Sequence, residues 1–148
     1  TWADVQWLQE ITRLPVLLKG VLHPRDARQA AALQVAALIV SNHGGRTLDT
    51  TPATAAVLPR IAQALAGDLP LLVDGGIRRG TDVLKAIALG ARAVLVGRPC
   101  VYGLANAGAL GVAHVLRLLR DELEIAMALC GCATLEQTSP ELFFDALS

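Results

Sequence analysis

The run Ser41-Asn42-His43-Gly44-Gly45-Arg46 sets an imidazole and a guanidinium on one short loop, with two glycines between them. A base beside a fixed cation suits an anionic substrate that must give up a proton. A second kind of chemistry is written in Asp74-Gly75-Gly76-Ile77-Arg78 and again in Gly97-Arg98. Glycines let backbone N–H groups approach a ligand with no Cβ in the way. Arg78 and Arg98 can add charge-assisted, bidentate bonds to a phosphate. Glycines alone would be ordinary turn-makers. Two glycine sites on successive units, each with an arginine, point instead to phosphate. Lys19 reads either as a strand-end charge reaching solvent or as an ammonium facing a cofactor, and its place on the same rim favours the second. His23 and His114 are read as structural.

These residues need elements to hold them. Four short apolar runs each end in a polar or glycine-containing segment: Val16-Leu17-Leu18 before Lys19, 36–40 before Ser41, Leu71-Leu72-Val73 before Asp74, and 93–96 before Gly97. Apolar runs without polar alternation suit strands buried on both faces. Helical patterns lie between and around them, at 2–12, 24–34, 53–66 and 81–89. Strand, loop and helix repeated at this spacing make βα units, and right-handed crossovers make their sheet parallel. The fold class is α/β. A long helix is expected over 105–129, and Ser139-Pro140-Glu141 is expected to open a short last one. In such folds the functional groups gather at the carboxyl ends of the strands, where every residue singled out above falls. A (β/α)8 barrel takes roughly 250 residues. The expectation is part of a TIM barrel, read as its C-terminal half: four βα units plus C-terminal helices, with 1–148 a single partial domain; a half barrel that pairs with another and an open sheet are the alternatives.

Composition narrows the function classes. Hydrophobic residues are 53% of the chain and charged ones 18%, enough apolar content for a real core. Lys plus Arg equals Asp plus Glu, at 13 each, and no basic stripe is visible, so nucleic-acid binding has no electrostatic support. No apolar run is expected to reach membrane-spanning length, because charged residues or His interrupt each candidate. No signal-peptide pattern is present, and Ala146-Leu147-Ser148 is not a peroxisomal tripeptide. Cys100, Cys130 and Cys132 form no disulfide framework, and without a second ligand cluster Cys130-Gly131-Cys132 reads as two reduced thiols rather than a metal site. A cytoplasmic location is the expectation.

Taken together, Leu18-Lys19-Gly20, Ser41-Asn42-His43-Gly44-Gly45-Arg46, Asp74-Gly75-Gly76-Ile77-Arg78-Arg79-Gly80-Thr81-Asp82 and Gly97-Arg98-Pro99 resemble the FMN-dependent L-2-hydroxy-acid oxidase and dehydrogenase family. The resemblance runs from Trp2 to near the C-terminus, and the Ser-Asn-His-Gly-Gly-Arg loop is its most specific part. It implies FMN as cofactor and a small 2-hydroxy acid as substrate. His43 would be the active-site base, contacting the substrate, and Arg46 would hold its carboxylate. Lys19 would lie by the flavin ring, Ser41 would touch the flavin, and Asp74 would bind the ribityl chain. Gly75, Gly76, Ile77, Arg78, Gly97 and Arg98 would surround the phosphate. Thr47 departs from the Gln common at that place in the family. The tyrosines and the His-orienting Asp that the family draws from its first half have no counterpart here, so little turnover is expected from this chain alone. The resemblance also implies a homo-oligomer, commonly a tetramer. Two other readings remain open: another FMN- or phosphate-binding barrel enzyme, and a non-catalytic half-barrel assembly module.

Overall fold

A computed structural model describes residues 1–144. Ala146, Leu147 and Ser148, read above for a targeting signal, lie outside the described residues. The order of elements is α1 (Trp2–Ile11), β1 (Leu17–Val21), α2 (Pro24–Ala32), β2 (Ala37–Val40), α3 (Thr54–Leu65), β3 (Leu71–Val73), α4 (Gly80–Ala88), β4 (Ala93–Val94) and α5 (Arg98–Leu129). The four strands are parallel and lie side by side in chain order. No strand is skipped and the order never reverses. With crossovers of one hand, such a sheet carries its connecting helices on a single face.

Strand parity decides which side chains meet that helical layer, because alternate residues point to opposite faces. Leu38, Val40, Leu71 and Val73 pack with Val57, Leu58, Ile61 and Leu65 of α3, with Ala27 and Ala30 of α2, and with Ala86 of α4. The opposite parity carries Lys19, Ser41 and Asp74, which therefore share the other face at its carboxyl end. Register agrees, since Lys19 lies opposite Ile39 and Ile39 opposite Leu72. A slip of one residue in any strand would turn its polar member into the core.

Local signals account for the element ends. Thr1 caps α1 with Asp4 answering as a capping box, and His23 caps α2 through Nδ1, which accepts from the Arg25 amide at 3.1 Å. His23 is thus structural. Some expectations need correction. Lys19 lies inside β1 rather than at its end, because the strand runs on to Val21 through an irregularity in the pairing. The last long helix starts at Arg98, not at 105, since Pro99 fits a helical first turn and needs no amide partner. It is also broken at Ala107–Gly108, where Gly103 and Gly111 bring the two segments into backbone contact. By length and composition alone α5 is apolar enough to cross a membrane, but only when its two segments are counted as one helix across the break. The segment opened by Ser139 is a single 3-10 turn, Pro140–Leu142.

Candidate active site

A cavity of about 710 Å3 opens at the carboxyl ends of the strands. Its wall contains Lys19, His43, Arg46, Asp74, Gly75, Gly76, Ile77, Arg78, Gly97 and Arg98. Each of these was picked out from the sequence. Ser41 alone of that set is not in the wall; it is 1% exposed and lies beneath it. Leu95, Pro99, Val101 and Tyr102 complete a largely apolar side, of which only Pro99 was singled out from the sequence.

The floor is a polar network tying the first three strands. Lys19 Nζ donates to Ser41 Oγ at 2.7 Å and pairs with Asp74 Oδ2 at 2.7 Å. Ser41 Oγ also accepts the His43 amide at 3.1 Å, which fixes the first turn of the loop. The other carboxylate oxygen, Asp74 Oδ1, is buried and has no partner. A buried acceptor left unpaired costs about 1–3 kcal/mol. It is a place where a ligand hydroxyl would be welcome.

The loop carrying His43 is held in an uncommon shape. His43 has φ 55° and Gly44 φ 68°, both in the left-handed region, within a 3-10 turn. Such a conformation costs a non-glycine residue roughly 1–3 kcal/mol and persists only where its surroundings impose it. Here Ser41 holds one side, while Arg98 Nη2 donates to the Gly44 carbonyl at 2.8 Å on the other. A Cβ on Gly44 would stand 3.2 Å from that same guanidinium nitrogen. His43 and Arg46 are both exposed, and among the described residues no side chain bonds the His43 ring.

Thr54 is a residue that sequence reasoning missed. It is 3% exposed at the start of α3, and its Oγ1 donates to the Asp74 carbonyl at 2.7 Å. That bond pins the turn that aims Asp74 and opens the Gly75-Gly76 segment. A threonine at the head of a helix was the available signal, but a capping role there would not have named Asp74 as its partner.

The chain belongs to the FMN-dependent dehydrogenase family, whose model matches residues 1–145. Among its relatives, a peroxisomal (S)-2-hydroxy-acid oxidase of Oryza sativa subsp. japonica is 58% identical over 132 residues, which are 89% of this chain and 36% of that protein. An L-lactate oxidase of Alicycliphilus denitrificans is 59% identical over 134 residues, 90% of this chain and 37% of that one. A solved structure of mandelate oxidase with benzoyl-formic acid superposes with a TM-score of 0.91 at 48% identity, covering 93% of this chain and 41% of that chain. The chain thus spans well under half the length of the relatives it matches.

Proposed function

We propose that this chain is the C-terminal half of a (β/α)8 barrel that oxidises a small L-2-hydroxy acid to the 2-oxo acid with FMN. The observation that carries the reading is the convergence of Lys19, His43, Arg46, Asp74, Arg78 and Arg98 on one cavity. The strand order supports the half barrel. Four parallel strands in unbroken sequence, with helices on one face, are what half of a closed barrel looks like.

The residues fit the cofactor. Unpartnered Asp74 Oδ1 is an acceptor for a polyol hydroxyl, and Arg78 and Arg98 line the same cavity as guanidinium donors for a phosphate. FMN, when bound, would supply the acceptor for the two electrons and the second hydrogen that the 2-hydroxy acid gives up. The protein's residues do the rest. Arg46 pairs with the substrate carboxylate and sets its orientation. His43, carried on its left-handed turn at the cavity wall, takes a proton from the substrate. Lys19, held between Ser41 and Asp74, keeps a positive charge on the cavity floor. A barrel enzyme that binds FMN for some other reaction would need the phosphate residues but not the His43–Arg46 pair, so that pair favours hydroxy-acid oxidation.

Among the described residues nothing orients the His43 ring, and an unoriented imidazole makes a poor base. Turnover therefore belongs to the completed barrel. The test has two stages. FMN is titrated into the barrel completed with its remaining βα units, followed by flavin fluorescence. The loaded protein is then mixed anaerobically with L-lactate or glycolate, and bleaching of the flavin absorbance is recorded. Binding followed by bleaching is the expected result. A completed barrel that binds no FMN sinks the cofactor assignment, and one that binds FMN without bleaching sinks the substrate class.

A further inference from the structure

The turn between β3 and α4 sets two arginines side by side, and only Arg78 lines the cavity. Arg79 is engaged elsewhere. Its Nη1 donates to Glu122 Oε1 at 2.9 Å, and the other oxygen of that carboxylate accepts the Gly80 amide at 2.8 Å. Glu122 comes from the second segment of α5, far along the chain. It can approach only because residue 80 is glycine, as a Cβ there would fall on the backbone of Glu122 and Leu123. The Gly80 amide first, and the Arg79 guanidinium after it, hold the Glu122 carboxyl below its ordinary range. Asp82 Oδ2 accepts the amides of Arg78 and Arg79, each at 2.9 Å.

These contacts have a consequence for anion binding. A helix N-terminus offers free amides to a phosphate. At the entry to α4 the chain's own carboxylates, Asp82 and Glu122, already take the amides of Arg78, Arg79 and Gly80. That shifts the weight of phosphate binding onto the Arg78 guanidinium and the turn ahead of it. Which of two adjacent arginines faces the cavity becomes decisive.

We propose that Glu122 is a positioning residue of the phosphate site: by capturing Arg79 and the Gly80 amide on the outer side of the turn, it leaves Arg78 facing the cavity. The inference rests on the FMN reading above. Glu122 touches neither cofactor nor substrate and acts through the turn.

The test compares wild type with Glu122→Gln, which keeps the side-chain shape, using FMN and riboflavin as paired probes. The expected result is a Kd for FMN raised about tenfold, as loss of a supporting contact behind a ligand-binding group commonly does. The Kd for riboflavin, which lacks the phosphate, should stay where it was. Equal weakening of both flavins, or of neither, overturns the proposal and leaves Glu122 as a helix cap. If wild type binds neither flavin, the FMN reading fails separately, and backbone amide exchange decides the positioning role. Faster exchange in Glu122→Gln at Gly76, Ile77 and Arg78 as well as Gly80 supports it. A change confined to Gly80 overturns it.

Discussion

His43 holds a left-handed backbone that an unconstrained residue would leave, and two neighbours pay for it: Ser41 from below and Arg98 from the side. With the base so placed, His43→Gln in the completed barrel should lower kcat by about 10²–10⁴, the usual worth of a positioned base, with FMN affinity little changed. Stopped-flow reduction of the flavin measures this, and an unchanged rate would remove His43 from its role. Thr54 makes a different prediction. Thr54→Val keeps the volume but removes the only side-chain donor to the Asp74 carbonyl among the described residues. Stability should fall by about 1–3 kcal/mol in urea unfolding, the cost of a buried group losing its partner. The two residues also mark the limit of reading at this scale. His43 was legible because its type, its glycine neighbours and its strand-end place all agreed. Thr54 was not, because its meaning lies in a contact with a residue 20 positions on.

Between elements, the tightest join is α4 against α5 at Gly80. Gly80→Ala would drive a methyl group into the α5 backbone, and a loss of about 3 kcal/mol or more is expected in the urea midpoint. Glu122 gives that join a pH dependence. Its carboxyl is held below its ordinary range in the folded chain, so the unfolded chain binds its proton first on acidification. The stabilisation is fully present above the ordinary glutamate range and disappears as pH falls through the depressed folded value. Urea midpoints of wild type and Glu122→Gln should therefore differ near neutral pH and converge in acid. A constant gap would contradict the argument. The strands and first four helices were legible from apolar runs and their punctuation, to within a residue or two for most. The start of α5 was misplaced because Gly97-Arg98-Pro99 reads equally well as a loop; Pro99 was the clue that a helix had already begun. The break at Ala107–Gly108 depends on Gly103 meeting Gly111, a contact no periodicity encodes.

At the scale of the whole molecule, one face of the sheet and both its edges lack a partner among the described residues. Leu17 on β1 is 42% exposed, and Leu110 and Leu129 on α5 are 80% and 84% exposed. Apolar surface of this kind associates or binds an apolar dye. The chain by itself should bind anilinonaphthalene sulfonate and show a mass by light scattering that rises with concentration. A dye-free monomer at high concentration would count against the half barrel. The sequential strand order carries a last consequence, for the order in which the chain is made. Each strand pairs only with the one before it and the one after it in sequence. Within this sheet, a polypeptide leaving the ribosome from its amino end therefore finds the partner for each strand after β1 already built, and in a completed barrel only the closing pair, first strand with last, has to wait. Lys19 on β1 and then the loops that carry His43 and Asp74 come into register in that same order, so the site is laid down one rim position at a time.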